Sequence, residues 1–286
     1  MSVPARARER IMRDIGAMAE LNKEADGLYY FFDEADIMTG YGLIIGSSGT
    51  PYEGGFYLIS FQFPDTYPFN PPLCKHLSFC DRRQSPNFHD NGTICLTRLN
   101  TWDAMRDGRS ADRWTPIMNI HSVLQMIQAQ VLTSNPLNNE PPYNYSETHP
   151  EDNFTYSELV RYCNLRHNVV DIYYKTLGGM TILPPSVATD VSIVIKNHLR
   201  EHGSDYIKAV SAARAGHAEG TYLQCTCYHN SSVCLMYDLV EKYLTNILIA
   251  CGGNGACLAL SALTSADNLP GGEKIKVRLK PSLLTQ

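Results

Sequence analysis

Between Gly27 and Phe79 the chain carries four short runs rich in aromatic and β-branched residues, and the gaps between them decide what they can build. The runs are Leu28–Phe32, Tyr41–Ile45, Phe56–Phe63 and Leu73–Phe79. Turn formers separate them: Gly46-Ser-Ser-Gly49, Gly54-Gly55 and Pro64-Asp65, residues that punctuate strands. A parallel crossover needs about a dozen residues or more. These connections are of hairpin length, so the spacing predicts an antiparallel meander.

Helical patterns flank the strands. Residues 4 to 22 place Ile11, Ile15, Met18 and Leu21 on one face, with Arg6, Arg8, Arg10 and Arg13 largely off it; apolar residues at this spacing mark an amphipathic helix. Residues 80 to 116 have no sustained period and hold Cys95 and both tryptophans. A loop this long inside a compact domain is usually functional. Ile120, Val123, Leu124, Ile127 and Val131 then define a helix that Ser134-Asn-Pro136 stops. Thr155-x-x-Glu158 has the form of a capping box, predicting a helix through Leu159, Tyr162, Val169, Val170, Tyr173 and Leu177, closed at Gly178-Gly179. Further helical patterns cover 187–202, 204–214 and 232–250. The order of elements predicts an α+β fold, with a catalytic domain over 1–178 and a helical extension over 179–286.

Composition narrows the function. The net charge is -5 and the pI about 6.0, which argues against nucleic acid as a partner, since such domains are usually basic. The apolar stretch from Leu244 to Leu263 is interrupted by Asn246, Gly252, Gly253, Asn254 and Gly255, and a span needs about 20 nearly unbroken apolar residues, so no membrane contact is expected. The N-terminus lacks the apolar run of a secretory signal. The nine cysteines are odd in number and irregular in spacing, which points to a reducing compartment, cytoplasm and nucleus. Cys225-x-Cys227-x-His229-x4-Cys234 offers enough ligands for zinc, but zinc ligands usually pair as C-x2-4-C. Neither metal nor cofactor is expected.

The most informative stretch is Ser85-Pro-Asn-Phe-His-Asp-Asn-Gly-Thr-Ile-Cys95. Asn87 stands eight residues before Cys95, with the tight turn Asn91-Gly92 between them. That turn folds Asn87 back toward Cys95, where its amide would donate to an oxyanion formed at a carbonyl attached to the sulfur. Loss of one such donor costs about 2.7–4 kcal/mol in an acyl-transfer transition state.

This segment resembles the active site of ubiquitin-conjugating enzymes, the E2 family, which read His-Pro-Asn, seven residues, then Cys. Tyr67-Pro-Phe-Asn-Pro-Pro72 is similar to the family's Tyr-Pro-x-x-Pro-Pro run, and Trp114-Thr-Pro116 to its Trp-Ser-Pro turn before the second helix. Thr50-Pro-Tyr-Glu-Gly-Gly-Phe56, Leu99-Asn-Thr-Trp102, Asn135-Pro-x-x-Asn-Glu-Pro141 and Tyr162-Cys-Asn-Leu-Arg-His167 resemble the family's Z-type subgroup. Ser85 departs from the family's usual His, as the Z type also does. Asp103 to Arg113 is an insertion of mixed charge, read here as a surface loop beside the Cys95 mouth.

The resemblance implies a carrier that takes ubiquitin or a ubiquitin-like modifier from an activating enzyme as a Cys95 thioester. It then passes the modifier to a ligase or to a substrate lysine. Asn87 would stabilise the oxyanion, and Glu140, beside Asn138 and Asn139, would form an acidic gate. Arg6, Arg10 and Arg13 fall where family members meet the activating enzyme; Phe69, Pro116 and Ile117 fall at the loops that meet a ligase. No base for Cys95 is evident in the sequence, and His89 reads as an exposed loop histidine. Two alternatives stand beside this reading: a non-catalytic E2-like module that binds modifier or ligase, and a cysteine hydrolase. The hydrolase would need an oriented histidine, and nothing marks His76 or His121 for that role.

Overall fold

The computed structural model describes residues 5–21, 26–101, 113–139, 145–177, 182–226, 229 and 231–252. The fold is α+β. Helix α1 (Ala5–Glu20) leads into strands β1 (Leu28–Phe32), β2 (Thr39–Ile45), β3 (Phe56–Gln62) and β4 (Leu73–Leu77). These form one antiparallel sheet in the order β1-β2-β3-β4, the expected meander. Helix α2 (Ile120–Gln130) packs on the sheet and on α1. Gly42 allows the close approach: a Cβ there would meet Leu124 Cδ2 at 2.4 Å. The predicted apolar face of α2 is fully used, with Ile120, Val123, Leu124, Ile127 and the capping Val131 all buried. Asn119 and Ser122 close the α2 N-terminus as a reciprocal capping box.

Helix α3 (Pro150–Cys163) starts five residues before the Thr155 box expected from sequence. Pro150 fits the first turn, where its missing N–H costs nothing, and Glu151 and Asp152 sit at the positive end of the helix dipole. Thr155 lies inside the helix and donates its hydroxyl to the Glu151 carbonyl at 2.9 Å. The helix runs on through a π-helical stretch, Asn164–Asp171, into α4 (Ile172–Leu177). Helix α5 (Pro185–Gly216) is continuous, not two helices. Gly203, which divided the two patterns, is buried within it; an internal glycine costs only about 1 kcal/mol, which packing offsets.

Strands β5 (Tyr222–Cys225) and β6 (Ser231–Cys234) form a hairpin before α6 (Tyr237–Cys251). The helix expected to start at 232 therefore starts at 237, because Ser231–Cys234 pairs as a strand. The hairpin register sets Tyr222 opposite Cys234 and Cys225 opposite Ser231. Three strand positions, about 10 Å, separate Cys225 from Cys234, whereas zinc holds each sulfur at about 2.3 Å. Cys225 and Cys234 therefore do not share an ion; Cys227 lies outside the described residues.

The C-terminal elements are tied to the sheet and its flanking loops. Tyr206 donates its hydroxyl to the Gly54 carbonyl at 2.5 Å, and the Phe56 ring meets the His198 ring edge-on with centroids 5.6 Å apart. Arg82, in the segment after β4, donates to the Ser232 carbonyl of β6. Among the described residues no helix is long and apolar enough to cross a membrane.

Candidate active site

Cys95 is positioned by a small hairpin that leaves the edge of β4. The backbone N–H of Cys95 donates to the Asn87 carbonyl at 2.8 Å, and the His89 N–H to the Thr93 carbonyl at 2.9 Å. Phe88 bridges Ile94 between these rungs. At the tip, the Gly92 N–H donates to the His89 carbonyl at 2.9 Å, and Gly92 has φ of 83°, a left-handed conformation that glycine adopts without strain. The His76 N–H donates to the Gly92 carbonyl at 2.8 Å, which hangs the hairpin on β4.

The Asn87 side chain completes the link. Its Nδ2 donates to the Cys95 carbonyl at 2.7 Å. The turn expected from sequence thus brings the two residues together, and the amide expected to face an oxyanion holds the Cys95 backbone. On the far side of Cys95 a short 3₁₀ turn, Thr97–Leu99, ends at Asn100 with φ of 57°. The chain then returns to Thr101, whose hydroxyl accepts the Leu96 N–H at 2.9 Å and lies 2.6 Å from the Ile94 carbonyl. The Cys95 thiol points to the Thr101 carbonyl at 3.7 Å, and the residue is only 7% exposed.

Ser85, the departure from the family pattern, is a buried junction. Its hydroxyl accepts the Asn87 N–H at 3.2 Å and donates to the Val131 carbonyl at 3.4 Å. Asn139 donates to the same carbonyl at 3.2 Å. One acceptor at the end of α2 thus ties the Cys95 hairpin to the turn that precedes Glu140; Glu140 itself lies outside the described residues, as do Trp102 and 103–112 of the insertion. Arg83 and Gln84, just before Ser85, are fixed through their carbonyls by Tyr156 at 2.8 Å and Tyr52 at 2.6 Å. His89 is half-buried rather than exposed, and its Nδ1 lies 3.2 Å from an Arg83 nitrogen.

Most of the expected partner residues lie at the surface. Phe69 is 65% and Ile117 87% exposed, and Pro116 is exposed beside Ile117. Trp114 joins their two loops by donating its indole N–H to the Pro68 carbonyl at 2.7 Å. Arg6 and Arg13 are exposed on α1. Arg10 is used inside the fold: its guanidinium donates to the Pro116 carbonyl at 2.6 Å, to the Met118 carbonyl, and to the buried Asp14 at 2.8 Å. Asp14 also accepts the Tyr67 hydroxyl. This brace is not expected from the sequence, where its visible signal is Asp14, a charge set among Ile11, Ile15 and Met18 on the apolar face of α1.

The model of the ubiquitin-conjugating enzyme family matches residues 10–162, more than half of the chain and all of the hairpin around Cys95. The chain belongs to the ubiquitin-conjugating enzyme family. Within it the chain resembles the Z type. It is 34% identical over 217 residues to ubiquitin-conjugating enzyme E2 Z of Danio rerio, covering 75% of this chain and 60% of the relative. It is 38% identical over 165 residues to E2 Z of Homo sapiens, covering 57% and 44%. The chain thus spans less than two thirds of the length of these relatives. Among solved structures, the E2 domain of a Toxoplasma gondii ubiquitin conjugating enzyme is similar at 25% identity with a TM-score of 0.42, covering 56% of this chain and 98% of that one.

Proposed function

We propose that this chain acts as a ubiquitin-conjugating transferase through Cys95. The observation that carries the reading is the Asn87–Cys95 hairpin within a family-matched fold. The Cys95 thiolate attacks the carbonyl of the modifier thioester on the activating enzyme and expels that enzyme's thiolate. The modifier is then bound to Cys95. A ligase thiol or a substrate lysine, as its neutral amine, next attacks the same carbonyl and expels the Cys95 thiolate. ATP is consumed upstream by the activating enzyme, and no cofactor enters either transfer.

Asn87 supports both parts of this cycle. In the resting state it locks the Cys95 backbone. Rotation of its amide toward the thioester oxygen would supply an oxyanion donor in acyl transfer. Glu140 would favour the neutral form of the incoming lysine, whose pKa is ordinarily about 10.4, by accepting its proton. Arg6 and Arg13 are proposed to meet an acidic face of the activating enzyme, with Arg10 holding their helix in place. Phe69, Pro116 and Ile117 are proposed to meet a ligase. The proposed workplace is the cytoplasm and nucleus, with 1–178 as the catalytic domain and 179–286 as its extension.

Charging reactions with activating enzyme and ATP, run side by side with ubiquitin and with a ubiquitin-like modifier and resolved on non-reducing gels, test the reading. A thiol-sensitive band with at least one modifier is expected. A Cys95→Ala chain that forms the same band would remove Cys95 from its role, and a chain that binds modifier without any adduct would be a binding module.

A further inference from the structure

Away from the Cys95 thiol, a second cluster of reactive side chains joins the segment after β4 to the α3 helix. Cys80 comes from the exit of β4, and Cys163 and His167 lie four residues apart where α3 passes into its π-helical stretch. Their sulfur and imidazole nitrogen atoms all lie within 4.8 Å of one another. Both cysteines are buried. His167 is held by Asp171, one further step of four along the helix, with Nδ1 and Oδ2 at 2.8 Å. Arg166 donates to the other oxygen of Asp171. π-Helical turns inside α-helices occur frequently at functional sites.

We propose that Cys80, Cys163 and His167 bind one zinc-class metal ion. Two thiolates and one imidazole are the donor set that zinc selects, and two sulfurs bound to one zinc lie about 3.8 Å apart. The observed cluster needs to contract by about 1 Å or less to reach this geometry. The carboxylate on Nδ1 directs Nε2 toward the cysteines; an oriented histidine of this kind accompanies most metal-bound imidazoles. Charge also fits. On binding a divalent ion Cys80, Cys163 and His167 release two protons in all, which leaves two thiolates and a neutral imidazole, so the buried centre carries no net charge, and an unpaired buried charge is what such a place cannot hold. The fourth position falls to a solvent molecule on the side of His167, whose side chain is 22% exposed.

The bound ion would act as a clamp. Cys80 begins the segment that carries Gln84, Ser85 and Asn87 to Cys95. The metal would fix the start of that segment to α3, as Tyr156 fixes it at Arg83.

The test is metal content and cobalt spectroscopy on the full chain, purified without a histidine tag. Wild type is expected to hold one equivalent of zinc. Its apo form, titrated with cobalt(II), is expected to show the intense visible bands of tetrahedral thiolate coordination. Cys80→Ser and His167→Asn should lose the ion, and Asp171→Asn should weaken cobalt binding about 10- to 100-fold. Cys74→Ser and Cys234→Ser, outside the cluster, should keep one equivalent. Wild type that gives no cobalt spectrum at saturating metal would overturn the proposal, whatever the variants do. So would retention of the ion by His167→Asn, loss of it in Cys234→Ser, or a Cys80–Cys163 disulfide in freshly isolated protein.

Discussion

Asn87 and Cys95 hold each other twice: the Cys95 N–H donates to the Asn87 carbonyl at 2.8 Å, and the Asn87 amide donates to the Cys95 carbonyl at 2.7 Å. The side chain therefore has a structural duty and a proposed chemical one, and the two separate kinetically. In Asn87→Ala the lost hydrogen bond costs about 1 kcal/mol of stability. If the amide also serves the oxyanion, discharge of a purified thioester to free lysine falls about a hundred- to a thousandfold. Single-turnover discharge beside a denaturant titration checks this; a rate loss of tenfold or less, in proportion to the stability loss, would leave only the structural duty.

Arg10→Ala is expected to destabilise the fold by about 2 kcal/mol, below the 3–5 kcal/mol typical of breaking a fully buried pair because Arg10 is partly exposed. The buried Asp14 loses its cation and keeps the Tyr67 hydroxyl, and the turn at Pro116–Met118 loses its donor. Arg6→Ala and Arg13→Ala should stay within about 0.5 kcal/mol of wild type. Together they should raise the concentration needed for charging by the activating enzyme. Urea titration and charging at varied concentration of this chain distinguish the two outcomes.

Phe69→Ala and Ile117→Ala remove exposed apolar groups from two loops that Trp114 joins. Charging should proceed at the wild-type rate, and stability should change by less than about 0.5 kcal/mol. Ligase-stimulated discharge should fall at least tenfold, the size of a modest interface anchor. Equal stimulation of wild type and variants by an active cognate ligase would place the ligase elsewhere.

Acid should loosen the seat of α5. His198 faces the Phe56 ring, with His202 and Tyr206 beside it on its own helix. Burial, with a smaller effect from His202, pushes its pKa down from 6.5 to about 4. The unfolded chain therefore binds a proton here that the folded chain refuses. Stability rises with pH across this window, and is lost as the pH falls from about 6.5 to about 4, by about 3 kcal/mol in all. His198→Gln should flatten that slope in denaturant titrations at stepped pH; an unchanged slope would show that other groups govern it.

Much of this site was readable in one dimension. The meander followed from short gaps between β-rich runs, and α2 from the period of Ile120 to Val131. The return of Asn87 to Cys95 followed from the turn at Asn91-Gly92. What escaped depended on partners distant in sequence. Thr155 and Glu158 have the spacing of a cap, yet Pro150 and the acidic first turn begin α3 earlier. Arg10 looks like a surface cation until the Pro116 and Met118 carbonyls, more than 100 residues away, are brought to it. Ser231–Cys234 has little apolar pattern and becomes a strand only because Tyr222–Cys225 pairs with it. Cys80 and His167 lie far apart in the chain, so no motif in the sequence joins them.

Intact-mass analysis of a charging reaction tests the central claim most directly. Wild-type chain with activating enzyme, ATP and modifier should gain one modifier less one water, and lose it on addition of excess thiol. Cys95→Ser should gain the same mass as an oxygen ester that survives thiol, and Cys95→Ala should gain nothing. A thiol-sensitive adduct on Cys95→Ala, or no adduct on wild type with either modifier while a control carrier charges fully, would contradict the account.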